Sequence, residues 1–235
     1  MGMPVTVTVR DPAAEPSGLD PLFAWLRDVD ARFSPYRRDS EISRIDRGEL
    51  ALAAAHPDVR EVLERCAALK RETRGAFDAR AAGRLDPCGL VKGWAVDRGA
   101  ALLDAESCCI DAGGDVLVRG GPWRVGVRHP LRAGRLAAVL ELADGAVATS
   151  ATYERGAHIL DPRSGRPPAG VLSVTVVAAA LATADAAATA AFAMGREGPA
   201  WTARLPGAMT VLADRRVLTT PGFDALRAPG VALAA

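Results

Sequence analysis

Aromatic side chains are scarce, at 5% of the 235 residues, so the core must rest on alanine, valine and leucine. The 49% hydrophobic content supplies enough of them for a sizeable core. Excess charge is also missing. The 29 basic and 28 acidic side chains leave a formal net charge of +1, which argues against a nucleic-acid partner or a membrane-surface patch. Cys66, Cys88, Cys108 and Cys109 contain no CxxC pair and no disulfide framework, so small buried thiols in a reducing compartment are expected. No run reaches about 18 apolar residues without charge, the length of a membrane span, and no membrane insertion is expected. No basic n-region precedes an apolar h-region at the N-terminus, and a cytoplasmic location is expected. There is no repeat at a fixed period and no low-complexity linker. The length fits one large domain or two small, intimately packed ones.

What is present alternates between strand and helix periodicity. Residues 3–10, MPVTVTVR, alternate in period two and predict a strand. Pro21 sits where a helix can open, and Leu22, Phe23, Leu26 and Val29 follow at helical spacing with Phe33 closing the stripe. Pro35 breaks that helix, and Ser40 ahead of Glu41 and Ser43 predicts a short one. Residues 57–74 are amphipathic, with acid in the N-terminal half, base at the end and Gly75 as the C-cap. CCIDAGGDVLVRG (108–120) reads as strand, glycine turn, strand. Further strands are expected over 122–130, 135–144 and 145–155, and a hairpin over 209–223.

Residues 147–194 gather the chemistry. They hold a polar turn with a lone histidine, HILDPRSGRP (158–167), a β-branched strand (171–177) and an alanine-rich helix broken by Asp185 and Thr189. Four residues apart on a helix, Asp185 and Thr189 place two oxygens on one mostly apolar face. Such a carboxylate needs a partner or a hard cation such as magnesium. Alternatively Thr183 is an N-cap and Asp185 a first-turn acid favoured by the helix dipole. Earlier in the chain, LDPCGLVKGW brings Asp86, Gly89, Lys92 and Gly93 together at a helix start. Its backbone N–H groups and lysine can serve a phosphate, or it is an ordinary cap; it is not a Walker A loop. Tyr36 is a stacking ring or a cover for a core edge. His158 is a base titrating near neutrality or a turn residue bonded to backbone.

Taken in order, FSPYRRDSEISRID, GAFD, LDPCGLVKGWAVDR, DAGGD, VATSATYER, HILDPRSGRP, SVTVVA and ADAAATAAFAMG resemble the ApbE family, flavin transferases that attach FMN to proteins. The motifs span residues 33–195. The resemblance implies one domain over 1–235 with an α+β fold, its mixed and largely antiparallel sheets flanked by helices. It implies FAD as substrate, Mg2+ as cofactor, and transfer of FMN to a threonine hydroxyl of an acceptor protein with release of AMP. Some members pass FMN to water instead. Carried over residue by residue, the metal ligands fall on Asp185, Thr189 and the Gly89 carbonyl. The FAD contacts fall on Met1 with Gly2, Tyr36, Ala76, Phe77, Asp78, Asp86, Lys92 and Ile159. His158 is the candidate general base for the threonine hydroxyl and Asp161 its support.

Three departures from the family pattern stand out. The segment 78–86 is short, which implies a compact variant with one face of the site trimmed. The family's TSG reads Thr149-Ser150-Ala151, and its MGT start reads Gly2-Met3. Two rival functions follow: an FAD pyrophosphatase giving FMN and AMP, and a flavin-binding carrier without chemistry.

Overall fold

The computed structural model describes residues 2–10, 17–151, 159–230 and 233. Met1 and His158 lie outside the described residues. A short edge strand β1 (Val5–Val9) is followed by three helices, α1 (Leu19–Phe33), α2 (Glu41–Asp46) and α3 (Pro57–Glu72). α1 starts two residues ahead of Pro21, which occupies its first turn, and buries Leu22, Leu26, Val29 and Phe33 as the spacing requires. Ser40 caps α2 by accepting the Ser43 N–H at 3.1 Å. α3 stops at Glu72, slightly earlier than the pattern suggested. Arg74 and Gly75 both adopt positive φ (52° and 84°), and the Gly75 N–H returns to the Lys70 carbonyl.

Helix α4 (Cys88–Ala100) leads into β2 (Cys108–Ala112) and β3 (Asp115–Arg119). These two strands are joined by Gly113 and Gly114, both at positive φ, as a tight two-residue hairpin turn demands. Strands β4 (Trp123–Arg128) and β5 (Leu136–Leu142) form a separate two-stranded sheet. The chain then returns to the main sheet with β6 (Gly145–Ala151) and β7 (Val171–Ala178), makes helices α5 (Leu181–Ala193) and α6 (Gly198–Thr202), and closes with β8 (Gly207–Leu212), β9 (Val217–Thr219) and α7 (Pro221–Ala225).

The main sheet has seven strands in the order β1-β2-β3-β6-β7-β8-β9. The fold is α+β, and the largely antiparallel character expected is uniform, since every pair among the described strands is antiparallel. Each face of the sheet carries its own core. α1, α3, α4 and α5 cover one face, around Trp94, Phe33, Leu90, Ile110 and Phe192. The β4–β5 hairpin covers part of the other, through Trp123, Val125, Val127 and Leu140 against Val147, Val177 and Met209. The few aromatics are concentrated: Trp94 lies 5.4 Å from Trp25 and 5.5 Å from Phe33, ring centre to ring centre, in tilted packing.

α5 is buried along nearly all its length because its side chains are mostly alanine, which lets it lie close to both the sheet and α4. The N-terminus of α5 reveals what Gly93 and Asp97 of the LDPCGLVKGWAVDR segment do structurally. A Cβ on Gly93 would sit 2.5 Å from the Leu181 carbonyl and the Ala182 nitrogen, so only glycine permits this crossing. One turn on, Asp97 accepts the N–H groups of Leu181 (2.7 Å) and Ala182 (2.9 Å). Thr183 therefore is not the cap of this helix. The cap comes from another helix and fixes α5 against α4.

Candidate active site

A cleft of about 750 Å³ opens where α4, α5, the end of β6 and the 76–86 turns converge. Its polar end is built by three charged groups that the fold draws from distant sequence. Lys92, on the second turn of α4, lies with Nζ 3.5 Å from Asp185 Oδ1 and also pairs closely with Asp115 Oδ2. Asp115 starts β3 and accepts the Thr149 N–H at 2.9 Å through its other oxygen, which ties β3 to β6 beneath the cleft. Asp185 is 4% exposed. Burial pushes its carboxyl up from the ordinary value, Lys92 pulls it down and Asp115 adds to the rise.

Asp185 Oδ2 is buried and makes no hydrogen bond among the described residues. One turn on, the Thr189 hydroxyl lies 3.4 Å from Ser150 Oγ. Across from it is Gly89, where a Cβ would stand 3.3 Å from Thr189 Cγ2 and 3.6 Å from Thr189 Oγ1. The backbone of α4 thus approaches the Asp185–Thr189 face closely. A carboxylate oxygen without a partner and a hydroxyl one turn on are oxygen donors of the kind a hard cation such as Mg2+ takes. No group of three or more His, Cys, Asp and Glu side chains capable of holding a metal occurs among the described residues.

The other expected residues fall around the same cleft. Ala76, Phe77 and Asp78 form one wall, and the Phe77 N–H is held by Thr73 Oγ1 at 2.9 Å. Asp78 pairs with Lys70 at 2.6 Å. Asp86 lines the cleft and its carboxylate accepts the Cys88 N–H at 3.0 Å at the start of α4. The short 78–86 segment is closed on itself by a 2.6 Å bond from the Asp86 N–H to the Ala79 carbonyl. Tyr36 stands at the rim, 79% exposed, with the Arg84 guanidinium 4.6 Å from its ring centre. Gly2 and Ile159 also line the cleft.

Asp161 is occupied within its own turn. Its carboxylate accepts the Arg163 N–H (3.0 Å) and side chain (2.9 Å), and Arg163 reaches on to Glu197 at 2.7 Å. The arginine holds the Asp161 carboxyl below the usual carboxylate range. The structural neighbour most visibly missed by sequence reasoning is Asp115. The DAGGD motif drew attention to its glycines, whereas its last residue makes the ion pair with Lys92. The signal was there, a carboxylate directly after a turn of two glycines, but nothing local says which lysine it meets.

A seven-stranded antiparallel sheet backed by helices, with a cleft ending in a lysine between two buried carboxylates, defines an α+β protein with a charged, enclosed site. The chain belongs to the ApbE family, whose sequence profile matches residues 1–83 and 79–213. It is 37% identical over 160 residues to the FAD:protein FMN transferase of Rhodobacter capsulatus, covering 60% of this chain and 31% of that protein. It is 32% identical over 211 residues to the FAD:protein FMN transferase of Treponema pallidum, covering 72% of this chain and 58% of the relative. These matches thus span between about a third and three fifths of the relatives' length. Among solved structures, the flavin transferase ApbE of Vibrio cholerae superposes with a TM-score of 0.83 at 24% identity over 96% of both chains. The ApbE protein of Thermotoga maritima superposes with a TM-score of 0.81 at 22% identity over 95% of this chain and 94% of the other. At these identities the superpositions establish the fold.

Proposed function

We propose that this chain is an FAD:protein FMN transferase that moves FMN from FAD to a threonine hydroxyl of an acceptor protein and releases AMP. The observation that carries the reading is the polar end of the cleft: a buried carboxylate oxygen without a partner, one helical turn from Thr189, beside Lys92. The family relationship and the name shared by the relatives support the flavin chemistry. Asp185, Thr189 and the Gly89 carbonyl would hold Mg2+, which when bound would offset charge on the pyrophosphate and the leaving AMP.

The remaining steps fall to the protein's own groups. Ala76, Phe77, Asp78 and Ile159 wall the flavin nucleotide, and Tyr36 supplies a ring at the rim. Lys92 neutralises phosphate charge near the bond that breaks. The acceptor oxygen attacks the phosphorus of the FMN half, the bond to the AMP oxygen breaks, and the hydroxyl proton passes to a base. His158, which lies outside the described residues, is our candidate for that base. With its carboxylate engaged by Arg163, Asp161 supports the turn that follows His158. The cleft draws its lining from segments between Gly2 and Ala193, which favours reading residues 1–235 as one domain. No helix among the described residues is long and apolar enough to cross a membrane.

Incubating the protein with FAD and Mg2+, with and without a threonine-bearing acceptor, tests this function. AMP together with covalent FMN on the acceptor is expected. AMP with free FMN alone would replace the transferase by a pyrophosphatase. FAD binding without AMP would make the chain a carrier.

A further inference from the structure

The β4–β5 hairpin has one covered edge and one open edge. On the far side of β5, the Glu141 N–H donates to the Leu226 carbonyl (2.8 Å) and the Val139 carbonyl accepts from the Ala228 N–H (2.9 Å). In an antiparallel pair, residues whose peptide groups face outward on one strand stand opposite residues whose groups face outward on the other. Glu141 is opposite Arg124, and Val139 is opposite Gly126. Arg124 and Gly126 therefore turn their N–H and C=O groups to the outer edge of β4. No strand or backbone group among the described residues pairs with the outward peptide groups of Arg124 and Gly126. Unpaired edges of this kind are templates for an added strand.

The edge is exposed at Arg124 and Gly126. It forms one wall of a groove of about 520 Å³ whose floor is the face of β1 and β2 that the hairpin leaves uncovered, with Thr6, Cys109 and Asp111. The groove runs into the candidate active site, because Gly113 and Thr149 line both. Thr149 is bonded to Asp115, the partner of Lys92, so the junction lies at the polar end of the cleft. An acceptor hydroxyl must be delivered to that end on a chain thin enough to enter. An extended segment meets the requirement, and the polar floor suits small or polar side chains at alternate positions.

We propose that the outer edge of β4 receives the threonine-bearing segment of the acceptor protein as an added strand, whose chain then passes Gly113 and Thr149 into the cleft. This rests on the transferase reading. The probe is a pool of threonine-centred peptides, with AMP, free FMN and FMN-labelled peptide measured together. Arg124→Pro deletes an outward N–H without touching the bonds to β5, and Arg124→Ala keeps it. Arg124→Pro should lower peptide labelling about tenfold, the effect of one lost hydrogen bond, while FAD affinity stays at the wild-type value and Arg124→Ala labels normally. Equal labelling by the proline variant overturns the strand docking alone. AMP with free FMN but no labelled peptide in the wild type replaces the transferase by a pyrophosphatase and overturns the docking with it. Absence of AMP in the wild type overturns the transferase and the docking together. Should the proline variant not fold, labelled peptides N-methylated at successive positions decide on the wild-type protein. Loss at alternate positions supports the added strand, and indifference overturns it.

Discussion

At the scale of single residues, the site turns on one oxygen. Asp185 Oδ2 is buried with no hydrogen bond among the described residues, an arrangement that costs stability unless a ligand answers it. Asp185→Asn removes the charge at nearly the same volume. In the absence of divalent metal we expect this variant to be as stable as the wild type or more so, since it relieves a buried charge beside Asp115. With Mg2+ the two should separate. The wild type gains about 2.7 kcal/mol when free metal reaches one hundred times its Kd, whereas Asp185→Asn gains little. Thermal melts across a magnesium titration read this out without any turnover, and equal shifts in the two proteins would remove Asp185 from the metal set. FMN transfer by the variant should fall at least a hundredfold. Periodicity alone put Asp185 and Thr189 on one helical face. It did not bring in Gly89, Lys92 or Asp115, because those contacts are made between elements and leave no mark at any fixed sequence spacing.

At the scale of elements, the decisive joint is the crossing of α4 and α5, which carry Lys92 and Asp185. Gly93 lets the two backbones touch and Asp97 ties them by two hydrogen bonds. Gly93→Ala would force a methyl group into the Leu181 carbonyl. Overpacking of this kind typically costs about 1–3 kcal/mol, and here the blocking atoms are backbone, so the upper end is expected. Asp97→Ala should cost about 1–2 kcal/mol through the uncapped first turn of α5. Urea unfolding measures both. Because the shift also separates Lys92 from Asp185, Gly93→Ala should lose FMN transfer beyond what its stability predicts under conditions where it is fully folded. Most of the element boundaries were legible, since alternating strands, helical stripes and the Ser40 cap announce themselves locally. The cap of α5 was not, because an acid 84 positions earlier in the chain replaces the local Thr183.

At the scale of the whole molecule, the sheet divides two cores, and the helix-side core contains a thiol with a consequence for pH. Cys66 on α3 is 3% exposed among apolar neighbours, and burial pushes its pKa up from the ordinary 9.0 to about 12. Deprotonation is thus harder in the folded chain than in the unfolded one. Between pH 9 and pH 12 the native state holds a proton that the unfolded state has lost. The slope of stability against pH is therefore negative in that window: the contribution is complete below pH 9 and drains away as pH rises towards 12. The loss amounts to about 1.4 kcal/mol for each pH unit in which only the unfolded thiol has ionised. Cys66→Ala removes the titrating group. It should start lower at pH 8 because it leaves a small cavity, and then lose less than the wild type between pH 9 and pH 11. Urea midpoints at several alkaline pH values compare the two slopes. Parallel slopes would show that the thiol reaches water on the titration timescale and that the helix-side core opens locally around α3. A shallower slope in the alanine variant would establish that α3 stays docked until the whole domain unfolds.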